Sequence, residues 1–149
     1  MELIIAVAIF SVVITITIGC FSMAIRAQKR VILLQNVQEN AQFILEFIAK
    51  EIRMSVINTT NGLSNSLNIT RSSDNNSVIY SFDSGKLTRN GVSMNSEDVD
   101  IAGSFYISGV GADNLQPKLT ILMKLNNQTE EEIVVNTQAT LSQRLLSFE

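Results

Sequence analysis

Twenty-three consecutive residues, Leu3 to Ile25, carry no formal charge, and no other feature restricts the chain so tightly. The densest part reads Leu3-Ile4-Ile5-Ala6-Val7-Ala8-Ile9-Phe10-Ser11-Val12-Val13-Ile14. As a helix at about 1.5 Å per residue the run spans about 35 Å, enough for a hydrocarbon layer of roughly 30 Å. A core helix needs one apolar stripe and is rarely apolar all round over such a length. The run is therefore read as a membrane-spanning helix. A cleaved signal peptide opens on basic residues and has a shorter apolar stretch; here the opening is Met1-Glu2 and the run is too long. Arg26, Lys29 and Arg30 follow the run. Taken alone, the positive-inside rule would put that flank, and everything after it, in the cytoplasm.

Three segments are expected: residues 1–25 as the membrane half of an N-terminal helix, 26–57 as its amphipathic half, and 58–149 as a β-rich head. Between 26 and 57 there is neither Pro nor Gly, and Leu33, Val37, Ala41, Ile44, Ile48 and Ile52 recur at helical spacing. Ile32, Phe43, Phe47 and Met54 form a second apolar cluster, turned around the helix from the first. One stripe docks a small sheet. The second is read either as a widened core face or as a surface for neighbouring copies. The helix is expected to end at Asn58-Thr59-Thr60-Asn61-Gly62, where turn and C-cap residues gather.

From Asn58 to Ser77 the chain is rich in Asn, Ser and Thr and reads as a loop with at most a short strand. Then the period changes to two. Val78–Phe82 and Lys86–Arg89 flank Asp83-Ser84-Gly85 as a hairpin, closed by Asn90-Gly91. Val99–Ile101 and Phe105–Ile107 suggest a further strand interrupted by Gly103. Leu119, Ile121, Met123 and Leu125 alternate with polar neighbours; after an Asn126-Asn127 turn, Ile133 to Leu141 alternate again. Short strands with tight turns imply an antiparallel meander with one face on the helix. The expected fold class is α+β, a long N-terminal helix packed on a small antiparallel sheet.

Few chemistries survive the residue inventory. The chain has no His, which removes Ser-His-Asp and Cys-His constellations. Its one cysteine, Cys20, lies in the membrane run and reads as packing, so no intramolecular disulfide is available. Gly109-Val110-Gly111 lacks the strand–helix context of a phosphate loop. Glu97, Asp98 and Asp100 are a candidate Ca²⁺ cluster or, more simply, a solvated strand entry. Glu130-Glu131-Glu132 reads as a solvated turn that discourages edge pairing. Asn58, Asn68, Asn75 and Asn127 each open an Asn-x-Ser/Thr triplet, a match that chance readily supplies in so Asn/Ser/Thr-rich a chain. Residues 58–149 hold 6 basic and 10 acidic residues, a net −4, and with no basic patch a nucleic-acid partner is not expected. No enzyme activity, cofactor or metal is expected. That leaves Glu2, a carboxylate beside an apolar run: either it lies among headgroups or it has a partner.

Met1-Glu2-Leu3-Ile4-Ile5-Ala6-Val7-Ala8-Ile9-Phe10 resembles the start of type IV pilins and of type II secretion pseudopilins. In that family a basic leader ends in Gly, then Phe-Thr-Leu, then a residue followed by Glu and an apolar helix. The architecture matches along the whole chain, including Gln38-Glu39-Asn40-Ala41 leading into Phe43-Ile44-Leu45. The specific part is the first ten residues. The resemblance implies a non-enzymatic filament subunit anchored in the inner membrane, its head outside the cytoplasm and then in a periplasmic or extracellular filament. A prepilin peptidase and an assembly platform would be partners. Glu2 would pair with the terminal amine of a neighbouring subunit. Leu3, Ile4, Val7, Phe10 and Ile14 would pack helix against helix in membrane or filament, with Phe43 and Phe47 as further subunit contacts.

The sequence departs from that pattern in three respects. The family's leader is not among the residues from Met1 onward, and an upstream in-frame extension encoding Lys/Arg and then Gly-Phe-Thr-Leu is expected. The helix lacks the proline common in pilins, with Gly19 as its one weak point, and there is no C-terminal cysteine pair. A minor subunit is favoured over a major one. The rival reading is a single-pass sensor or adaptor with a small β-rich binding head, which a cytosolic head would favour.

Overall fold

The computed structural model describes residues 1–111, 115–128 and 133–144. One α-helix, α1 (Glu2–Arg53), precedes nine strands: β1 (Ser55–Ile57), β2 (Gly62–Ser64), β3 (Ser66–Arg71), β4 (Ser77–Asp83), β5 (Lys86–Arg89), β6 (Val92–Ser93), β7 (Val99–Ser108), β8 (Lys118–Asn127) and β9 (Val134–Ser142). The fold is α+β, with every strand pair antiparallel. The chain divides into two compact units, Met1–Gln35 and Asn36–Glu149.

In the second unit, Val37, Ala41, Ile44, Ile48 and Ile52 form the buried stripe of α1. They join one core with Leu67 and Ile69 of β3, Val78 and Tyr80 of β4, and the inward residues of β7 and β8. The stripe read from spacing is thus the one that packs. Leu33, its first member, is only partly covered.

The helix ends earlier than the expected residue 57. Met54 N–H already bonds to Glu51 O (3.1 Å), and Ser55 Oγ donates to the same carbonyl at 2.6 Å. Ser55, Val56 and Ile57 then pair with Arg71, Thr70 and Ile69 as β1. Two β-branched residues in a row favour that pleated pairing. The β-rich part therefore starts at Ser55, not Asn58. Gly62 does not cap the helix; it opens β2 at φ 125°. The Asn/Ser/Thr-rich stretch is not mainly loop either. Leu67 and Ile69, alternating with polar residues, are buried while β3 pairs with both β1 and β4.

There are two sheets rather than one meander, in the orders β1-β3-β4-β5-β6 and β2-β7-β8-β9. The break falls between β6 and β7, which do not pair, and β2 leaves its neighbours in sequence to extend the second sheet at the far end of β7, Leu63 opposite Tyr106. The hairpin tips follow the expected chemistry. Ser84-Gly85 and Asn90-Gly91 are two-residue turns with positive φ at both positions, which matches the twist of the strands they join. Asn126 and Asn127, expected to turn, instead complete β8 and pair with β7. Glu130–Glu132 lie outside the described residues.

Gly103 does not interrupt β7, which runs through it with unbroken register. A Cβ there would meet the Leu122 carbonyl oxygen and come within 2.8 and 2.9 Å of the Phe82 ring. Phe82 in turn stacks on Phe105 with centroids 4.8 Å apart. The glycine marks a close approach of the two sheets, with no room for a side chain. Gly103→Ala is expected to cost about 2–3 kcal/mol, the upper part of the overpacking range, read as a lower urea midpoint of the full chain in detergent. Adding Phe82→Leu should not rescue it, because the Leu122 backbone remains in the way.

Candidate functional site

Within Met1–Gln35 no described residue is buried, and α1 there is long and apolar enough to cross a membrane. Leu3, Ile4, Val7, Phe10 and Ile14 are all exposed. The polar groups in this stretch are arranged for an apolar surrounding. Ser11, Thr15 and Thr17 each donate a hydroxyl proton to the carbonyl four residues back, at 2.8 Å. Such bonds satisfy the hydroxyls without water. Glu2 sits in the first turn, where a carboxylate suits the positive end of the helix dipole. Cys20 is free and exposed.

In the second unit α1 presents two unlike faces. Ile44 and Ile48 are buried, whereas Phe43, Phe47 and Met54 remain exposed. Phe43 and Phe47 contact each other, centroids 6.1 Å apart. Phe47 also lies 5.6 Å under the Arg89 guanidinium, a cation–π geometry that orients its ring and covers part of one face. Phe43 and Phe47 therefore form an apolar surface that the described residues leave partly exposed.

Beneath it lies a charged cluster not singled out from the sequence. Glu51 is 12% exposed and takes hydrogen bonds from Arg89 Nη2 (2.5 Å), Arg89 Nε (3.3 Å) and the Tyr80 hydroxyl. Arg71 stands 3.9 Å from Glu51 and 3.0 Å from Asp74. Burial opposes ionisation of Glu51, but the hydrogen bonds from Arg89 and Tyr80 and the charges of Arg89 and Arg71 outweigh it, so its carboxyl titrates below the usual range. Burial and then the neighbouring carboxylate push the Tyr80 phenol well above its ordinary value. The bond to Glu51 also raises Arg89. All of these shifts favour one fixed state: an ionised carboxylate, a neutral phenol and a charged guanidinium. With each group held by another, the cluster ties the end of α1 to β3, β4 and β5. A sequence signal existed: Glu51 falls three residues after Ile48, flanking the buried stripe.

The remaining candidates do not gather. Among the described residues no three His, Cys, Asp or Glu side chains are placed to hold a metal. Asp100 instead accepts a hydrogen bond from Gln128 Nε2 at 2.7 Å. Gly109 and Gly111 take positive φ, and the next described element is β8, a strand. Of the triplet asparagines, Asn127 is buried, and Asn68 accepts from Ser77 Oγ at 2.9 Å. Asn58 donates to Thr70 Oγ1 (2.7 Å), and Asn75 is exposed in the connection between β3 and β4. Comparison with protein-family models, with curated proteins and with solved structures finds no match.

Proposed function

We propose that this chain is a non-enzymatic, membrane-anchored subunit of a pilin-like or pseudopilin-like filament, its head carried outside the cytoplasm. The observation that carries the reading is the double face of α1 in the second unit. One stripe is buried under the chain's own sheets, and the apolar Phe43–Phe47 surface is left partly exposed among the described residues. Together with an apolar helix in which Ser11, Thr15 and Thr17 satisfy their hydroxyls internally, this surface distribution suits a subunit that packs helix against helix. In this reading Glu2 pairs with the amine of a neighbouring chain's first residue, and Leu3, Ile4, Val7, Phe10 and Ile14 line the shared core. The flank Arg26, Lys29 and Arg30 favours a second reading, a sensor or adaptor with a cytoplasmic head.

Glu2→Ala separates the two. The apolar run is untouched, so insertion should be unchanged. A buried ion pair that loses one partner costs about 3–5 kcal/mol, so subunit content in sheared filaments, set against the membrane pool, should fall at least tenfold. Normal incorporation of the Glu2→Ala protein would remove the assigned pairing. A head accessible only from the cytoplasmic side would remove the filament reading.

A further inference from the structure

Strand β9 forms the outer edge of the four-stranded sheet, and among the described residues it pairs only with β8. Two bonds fix the phase of its ladder. Gln143 N–H donates to Pro117 O (3.0 Å) and Asn127 N–H to Ile133 O (3.4 Å), which places the odd-numbered residues in hydrogen-bonded pairs with β8. The alternation turns the N–H and C=O of Val134, Asn136, Gln138, Thr140 and Ser142 outward. All five residues are exposed.

Such edges are usually blunted by charge, proline, bulges or shortness. The other edge strands, β1, β2 and β6, are three residues long or less. β9 has nine residues, an unbroken register, no proline and no charge. The interior strands β3, β4, β5, β7 and β8 each carry at least one charged residue. Among the described residues the edge without such protection is thus also the only long strand without charge.

We propose that β9 pairs antiparallel with β9 of a second copy, about a two-fold axis at Gln138. The strand is close to self-complementary under that operation. Gln138 meets Gln138 and Asn136 meets Thr140 on the outer face; Val135 meets Leu141 and Thr137 meets Ala139 on the inner. The five outward residues form reciprocal pairs, two backbone bonds each. Val135 and Leu141, only partly buried against the core, gain apolar partners. Two like-charged heads meet here along an edge that brings no like charges together, and this favours a second copy over a charged peptide. The pairing does not rest on the filament reading: a two-fold joins copies that cannot be neighbours in a single polar stack.

The test uses the full chain in detergent micelles with Cys20→Ser as background. Gln138→Cys should form an intermolecular disulfide under mild oxidation, because its copies face each other about 5.5 Å apart. Val134→Cys should not, because its copies lie about 26 Å apart along the strands. Asn136→Lys with Thr140→Lys sets lysine opposite lysine on exposed positions, and should weaken the dimer at least tenfold by sedimentation while leaving the head folded. Equal cross-linking at 134 and 138 would overturn the pairing. So would a dimer that survives the two lysines, or a chain that is monomeric throughout.

Discussion

Ile48→Asp is expected to unfold the head, while Phe47→Asp, one residue earlier, is expected to leave it folded. Ile48 is 0% exposed and sits in the middle of the buried stripe, with Ile44 and Ile52 a turn to either side. A carboxylate there would be taken out of water among the apolar side chains of the core, and a buried charge is among the few causes of losses above about 4–5 kcal/mol. Domains of this size have about 5–15 kcal/mol in total, so the variant should show no cooperative unfolding transition. Phe47 is 37% exposed. Its replacement forfeits the contact with Arg89, about 0.5–1 kcal/mol at an exposed site, and sets Asp one turn from Glu51, a repulsion of a few tenths. Arg89 offsets part of that. Circular dichroism melts of the two full-length variants in detergent are the check. In the filament reading Phe47→Asp is folded yet absent from filaments. Equal unfolding of both would mean that the two faces of α1 are one core.

That contrast was legible because helix burial obeys a simple period. Val37, Ala41, Ile44, Ile48 and Ile52 needed only their spacing to be placed. The hairpins were legible for a similar local reason: Ser84-Gly85 and Asn90-Gly91 demand positive φ, which few residue pairs accept. What escaped was non-local. Val56 and Ile57 extend the helical pattern as well as they begin a strand, and only pairing with Thr70 and Ile69 decides between them. Gly103 looked like a break because nothing in its own segment reveals the Phe82 ring across the sheets. The membership of the second sheet was hidden too, because β2 joins it by meeting β7 some forty residues later in the chain. Glu51 was passed over for the same reason. Its partners Arg71, Tyr80 and Arg89 lie on three strands that single-sequence spacing does not bring together.

Replacing Glu51 alone should therefore cost more than removing the whole cluster. Glu51→Leu leaves Arg89 without its carboxylate and the Tyr80 hydroxyl without its acceptor. Breaking a buried ion pair from one side costs about 3–5 kcal/mol. The lower end applies here, about 3 kcal/mol, because Arg89 and Arg71 keep 27% and 35% of their side chains in water. Glu51→Leu combined with Tyr80→Phe and Arg89→Met leaves none of those groups unpaired, and should recover at least half of the loss. The sign of the pH dependence follows from the same carboxyl. Its folded value lies below the ordinary 4.5, so the native state binds its proton less readily than the unfolded chain does. The stabilisation is present in full above the unfolded value and disappears as pH falls through the folded one. Denaturant midpoints of the wild-type chain should decline from about pH 5 downward, and the triple variant should show a shallower decline over that range. Parallel curves would mean that acid sensitivity resides in other carboxylates. A single variant no less stable than the triple would mean that Glu51, Tyr80 and Arg89 are neighbours without being coupled.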